Sequence, residues 1–255
     1  RRAAQAGLLL AGLLAAGSAL ALITGTWTTN GSTSASTTLD GITVTWTGTS
    51  DQSYTSGTFN GTNGGRWSDP YGETVNGGRS LTLLHEVSSR NYTITFSKPV
   101  DNPVLHVDRL GGAIGSDPNS SRWTLNSSVS QGGAVSLTRL SGNPQFLVNG
   151  STFVRSTGSG FSGTANAECL TGSNATVASG TACGSIRFNG TGVTSLTFNV
   201  GLQGPTGGDE LELRWSFEGS NVIVRKQSAG GTGTFGITAS NALSQSFNLT
   251  TTSQN

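Results

Sequence analysis

Apolar and polar residues alternate at period two along most of the chain, and no stretch beyond residue 22 carries apolar residues at the spacing of an amphipathic helix. The pattern predicts strands throughout. The clearest runs from Glu210 to Phe217. Leu211, Leu213, Trp215 and Phe217 share one face, and Glu210, Glu212, Arg214 and Ser216 share the other. The first face is expected in the core and the second in water, with Glu210 and Glu212 as solvated charges partly balanced by Arg214. Similar alternation marks Ile42 to Trp46, Tyr92 to Phe96, Val104 to Leu110, Val135 to Leu140, Ile186 to Phe188 and Leu196 to Val200. Turn-forming clusters separate these segments, among them Asn60 to Gly65, Asn76 to Gly78, Gly111-Gly112 and Gly204 to Gly208.

Many short strands with glycine-rich connections and no intervening helices predict an all-β fold, an antiparallel jelly-roll-like sandwich over residues 22–219; a closed barrel is the alternative that periodicity leaves open. The register restarts after Gly219. Asn221 to Gln227, Thr234 to Thr238 and Ser246 to Thr250 read as three further strands. So short a segment, with few apolar positions, does not fold as a sandwich by itself. Residues 220–255 are therefore expected either to dock on the main domain or to open a second one.

Composition sharpens this picture. Charged residues are 11% of the 255, and lysine plus arginine (14) nearly equal aspartate plus glutamate (13). Such a balance gives no basic field for a phosphate backbone, so nucleic acid is not an expected partner. The low net charge and the regularly spaced Trp, Phe, Val, Ile and Leu exclude disorder for most of the chain. A domain of this length buries enough surface to fold without a cofactor, and none is expected. At the start, Arg1 and Arg2, the apolar run from Gly7 to Ala16 and the small residues Ala19 and Ala21 read as a secretory signal peptide over residues 1–21. Ala6 to Ile23 is also just long enough to span a bilayer, so an uncleaved anchor is the competing reading. With the leader removed, the mature chain carries no expected membrane span, and it is expected outside the cell. In that oxidising compartment Cys169 and Cys183, in one glycine- and serine-rich stretch, are expected to form a disulfide. Closing a loop of about 15 residues is worth roughly 3 kcal/mol in the chain-entropy model.

The segment Val222 to Thr238, with Ile223, Arg225, Lys226, Phe235 and Ile237, resembles the opening of the prealbumin-like, collagen-adhesin B-type repeats of bacterial surface proteins. Tyr92 to Gly112 is similar to the β-sandwich ectodomains that precede such repeats. The resemblance implies a short C-terminal segment of an Ig-like or prealbumin-like domain. It also places Lys226 where that family carries the lysine of an isopeptide bond, although the strands that would supply its partners are not in this sequence.

Several candidate sites follow from residue types. His106 and Asp108 lie on one face of a strand and His85 precedes Glu86, a pattern that suits a metal site less well than structural hydrogen bonding. Glu210 and Glu212 stand side by side, a poor arrangement for flanking a sugar ring. Asp51 and Asp117 to Asn119 offer oxygens for calcium without the ligand loop that would organise them. The stretch holding Arg66, Trp67, Asp69 and Tyr71 combines aromatic faces with charges and is the candidate ligand-binding loop, for a glycan or a surface protein; its alternative is that Trp67 closes one end of the sandwich. The expected function is a non-enzymatic, adhesin-like attachment module, with a carbohydrate-binding module of a larger secreted enzyme as alternative.

Overall fold

The computed structural model describes residues 26–58, 67–68, 74–75, 79–87, 89–114, 117–143, 145–156, 181–203, 208–217, 233–237 and 247–251. The chain divides into two compact units, Arg1–Gly219 and Ser220–Asn255. The first contains β1 (Thr28–Asn30), β2 (Ser34–Leu39), β3 (Ile42–Thr47), β4 (Thr55–Thr58), β5 (Trp67–Ser68), β6 (Thr74–Val75), β7 (Arg79–His85), β8 (Arg90–Val100) and β9 (Val104–Leu110). It continues with β10 (Gly112–Ile114), β11 (Asp117–Val129), β12 (Ser136–Gly142), β13 (Phe146–Asn149), β14 (Thr152–Arg155), β15 (Ala182–Asn189), β16 (Val193–Gln203) and β17 (Asp209–Ser216). The described residues contain no helix, and none is long and apolar enough to cross a membrane.

Two antiparallel sheets pack face to face. The larger runs β1-β2-β3-β8-β16-β11-β14-β13, with β10 beside β11, and the smaller runs β12-β15-β9-β17-β7-β4. Within them β7-β17-β9-β15 and β8-β16-β11-β14 are the two four-stranded halves of a jelly roll. The chain changes sheet at every step from β7 to β10 and again from β14 to β17, so over these steps sequence neighbours face each other across the core instead of pairing. The expected sandwich is therefore present, and the barrel alternative is not. Where neighbours do pair, turn chemistry explains it. Asp40 and Gly41 both take left-handed angles (φ 53° and 67°), the two-residue turn whose twist suits the β2–β3 hairpin.

The core is aromatic. Trp123 stacks on Tyr92 (5.3 Å between centroids) and on Phe153 (5.6 Å), while Trp215 of the smaller sheet meets Phe96 at 5.3 Å and Trp46 at 6.4 Å across the sandwich. Trp46, Trp123 and Trp215 are essentially fully buried. In β15 the ring of Phe146 lies where a Cβ on Gly184 would sit, which accounts for glycine in the middle of a buried strand.

The second face of β17 departs from expectation. Leu211, Leu213 and Trp215 point inward as predicted, with Phe217 half-buried just beyond the strand. Glu212, Arg214 and Ser216 are buried as well, and Glu210 is only part exposed, so these are not solvated charges. Alternation distinguishes two faces but does not reveal that the polar one is also covered.

In the second unit β18 (Gly233–Ile237) pairs antiparallel with β19 (Phe247–Thr251), Phe235 opposite Leu249 and Ile237 opposite Phe247. The predicted strand from Asn221 to Gln227 lies outside the described residues.

Candidate functional site

Three groups of polar residues compete for a functional role, and their surroundings separate them. The first is the outer side of the smaller sheet. His106 in β9 faces Arg214 in β17 and Ser185 in β15, each directly opposite in register. Its Nδ1 lies 2.7 Å from Ser185 Oγ and its Nε2 2.7 Å from Ser216 Oγ, which a neutral ring satisfies by donating from one nitrogen and accepting at the other. Burial, reinforced by the nearby Arg214 charge, lowers the His106 pKa to about 3. Arg109, at φ 60° where the β9–β15 ladder shifts register, reaches both Glu210 and Glu212 at 3.6 Å, and its own N–H donates to Asp108 Oδ1 at 2.7 Å. Beside them Gly57 of β4 leaves space for Ser80 Oγ, Thr82 Oγ1 and Glu212 Oε1, which a Cβ would meet at 2.8, 3.1 and 3.1 Å. The hydrogen bonds and ion pairs tie β9 to both its neighbours, β15 and β17, and Gly57 lets β4 lie close to the side chains of β7 and β17. Among the described residues no three His, Cys, Asp or Glu side chains are placed to hold a metal ion.

The second group lies inside the sandwich. Asp209 accepts hydrogen bonds from the backbone N–H groups of Gly111 (2.9 Å) and Ser121 (2.7 Å) and from the Ser121 hydroxyl (2.5 Å), joining β17 of one sheet to β11 of the other. Burial raises its pKa to about 6 despite these bonds and the charge of Arg155. The Ser121 hydroxyl in turn accepts from Trp123 Nε1 at 2.8 Å. His85 is buried against the Tyr92 hydroxyl (3.3 Å), and burial lowers its pKa to about 4. Asp51 pairs with Arg90 at 2.9 Å and accepts from the Glu86 N–H at 2.6 Å, so it fastens a loop to β8. Sequence reasoning missed Asp209 altogether. Its position directly before the alternating Glu210–Phe217 run was the available signal.

The third group faces outward, half-buried to exposed. On the outer face of the larger sheet, Ser36, Thr45, Thr95 and Ser195 lie in one cross-strand row, and Ser34, Thr47, Thr93, Thr197 and Ser127 in the next. Asn91, Asn199, Thr124 and Thr152 make a third. None of these carries a charge. Neighbouring hydroxyls touch, Thr93 with Thr197 at 3.1 Å and Thr124 with Thr152 at 3.0 Å, and the Asn199 amide donates to Asn91 at 3.1 Å. The rows run into an open groove of about 530 Å³ at the end of β11, formed by Leu125 to Ser130, Gly133 to Val135 and Ser151. Val129 is 61% exposed at its rim.

The loop predicted to bind a ligand is described only in part. Trp67 and Ser68 pair with Val75 and Thr74 as a short hairpin; Arg66, Asp69 and Tyr71 lie outside the described residues. Lys226 and Cys169 do too. Cys183 is buried in β15, and there is no free cysteine among the described residues. The backbone of Asp117 to Asn119 pairs with β10. Comparison with protein-family models, with curated proteins and with solved structures finds no match to this chain.

Proposed function

We propose that this protein is an exported attachment module of a bacterial cell surface, acting by binding and not by catalysis, with residues 1–21 as its leader and residues 220–255 belonging to a prealbumin-like second domain. The observation that carries the reading is the outer face of the larger sheet, where uncharged hydroxyls and amides run in register over five adjacent strands, β2, β3, β8, β16 and β11. A face of that composition remains hydrated without ion pairs and supplies many weak, repeated contacts. The acids and histidines described above point the same way, because His106, Asp209 and Asp51 are engaged in joining strands and loops of the scaffold. The Cys169–Cys183 disulfide belongs to the proposal, as a tie suited to an oxidising compartment.

The experiment is labelling of intact producing cells with an antibody to the sandwich, paired with an adhesion assay on a strain lacking the gene. Surface labelling with loss of attachment is expected. Labelling that needs permeabilised cells overturns the reading.

A further inference from the structure

We propose that the groove at the end of β11 binds a neutral oligosaccharide whose chain continues onto the hydroxyl rows of the same sheet face; this rests on the attachment reading and gives it a ligand class. At about 530 Å³ the groove has the size of a small-ligand site. Its lining mixes Asn126, Ser127, Ser128 and Ser151 with the aliphatic Val129 and Val135, and holds no charged residue. That mixture of hydrogen-bonding and C–H surface is the mixture a sugar ring presents. A charged ligand would lose hydration there without gaining an ion pair.

The walls are fixed in advance. The Leu125 N–H donates to the Ser151 carbonyl at 2.8 Å, the N–H groups of Gln131 and Gly132 donate to the Thr191 carbonyl at 3.0 and 3.1 Å, and the Ser130 hydroxyl donates to the Gly133 carbonyl. Holding the loop in this way lowers the ordering cost of binding. The ladder to β16 shifts register between Leu125 and Ser127, a bulge that leaves Asn126 and Ser127 both exposed. Ser127 lies in register with Thr197 and, through it, with Thr93 and Thr47, so the groove opens directly onto a hydroxyl row. The same bulge argues against an extended peptide as the occupant. Strand addition needs an evenly spaced run of backbone partners, and the edge beyond β14 is short and interrupted. Nor does the groove hold the aromatic or arginine anchors of a protein interface.

The test is native gel electrophoresis of the full chain through gels containing galactomannan, mixed-linkage β-glucan or dextran, with polygalacturonate and dextran sulfate as charged counterparts. Retardation by at least one neutral polymer is expected. Ser127→Glu should weaken it tenfold or more, with an unchanged melting temperature, while Ser53→Glu, in an exposed loop outside the groove, should leave it unaltered. Should Ser127→Glu fold poorly, Asn126→Ala and Ser127→Ala provide the reading, each with a several-fold loss. No retardation by any neutral polymer, retardation by the charged polymers alone, or binding indifferent to every groove substitution overturns the proposal. So does displacement of the polymer by unstructured peptide at equal concentration. A negative gel with surface-labelled cells removes the groove and leaves the attachment reading; a positive gel with unlabelled surfaces does the reverse.

Discussion

Acidification should destabilise this protein through its two histidines, and the size of the effect follows from their surroundings. A histidine whose folded pKa is depressed stays neutral in the native state, while the unfolded chain takes up its proton near pH 6.5. Stability is then full above pH 6.5 and is lost as the pH falls towards the folded pKa, about 3 for His106 and about 4 for His85. The cost approaches about 1.4 kcal/mol per group per pH unit in the middle of that window, so the pair removes about 4 to 5 kcal/mol between pH 6.5 and 4.5. Asp209 opposes them. Its folded pKa, about 6, lies above its unfolded value of 3.8, so the native state takes up its proton first and gains about 2 kcal/mol as the pH falls from 6 to 4.5. The net loss is about 2 to 3 kcal/mol, a sizeable part of a domain's stability. Urea unfolding followed by tryptophan fluorescence at several pH values measures it. His106→Gln, which can still donate to one serine and accept from the other, should reduce the acid loss by about 2 kcal/mol, one histidine's share over that window. A parent whose stability is level from pH 6.5 to 4.5, or a variant that loses as much as the parent, would refute the account of His106 as a buried neutral ring.

The other predictions concern the core and its ties. Trp215→Ala removes a ring packed on Phe96, Phe188 and Trp46 and should cost about 3 to 5 kcal/mol in chemical denaturation; a melting temperature within a degree or two of the parent would mean that the ring is not buried. Asp209→Asn should steepen the loss of stability below pH 6, because it removes the one group described here that opposes the histidines, and an unchanged pH profile would count against the raised pKa. Gly184→Ala forces a methyl into the Phe146 ring and should destabilise by about 1 to 3 kcal/mol, read by thermal melting. Intact mass before and after reduction should differ by two hydrogens if Cys169 and Cys183 are bonded, and two alkylatable thiols in protein from its native compartment would exclude the bond.

The strands that sequence made legible are those with large apolar residues at every second position, such as β3, β8, β9 and β17. β2 and β11 were hidden, because their inward positions include residues that do not look like core. Thr37 is buried in β2, and in β11 Ser120 and Ser121 are buried with their hydroxyls hydrogen-bonded. The two serine hydroxyls can be buried because they find partners, which no periodicity scale registers, while the Thr37 hydroxyl is buried without one. The pairing of His106 with two serines is similarly unreadable, since Ser185 and Ser216 lie 79 and 110 residues away in sequence. The hydroxyl rows were present as threonine at alternate positions in Thr43 to Thr47 and Thr93 to Thr95. Their significance depends on neighbours in register, which only the sheet order supplies.

The position of β17 has a consequence for when the domain can form at all. This strand is the last of the sandwich in sequence, yet it lies between β9 and β7 in the interior of its sheet, where it also supplies Asp209 to the opposite one. A chain emerging from its N-terminus therefore cannot close the smaller sheet progressively. Until about residue 216 is available, β7 and β9 have no central partner, and the pairing of β9 with β15 that is already possible joins segments far apart in the chain, which is the slow kind of folding. The topology therefore makes closure of the smaller sheet a late step, one that waits for the final strand of the sandwich to be made.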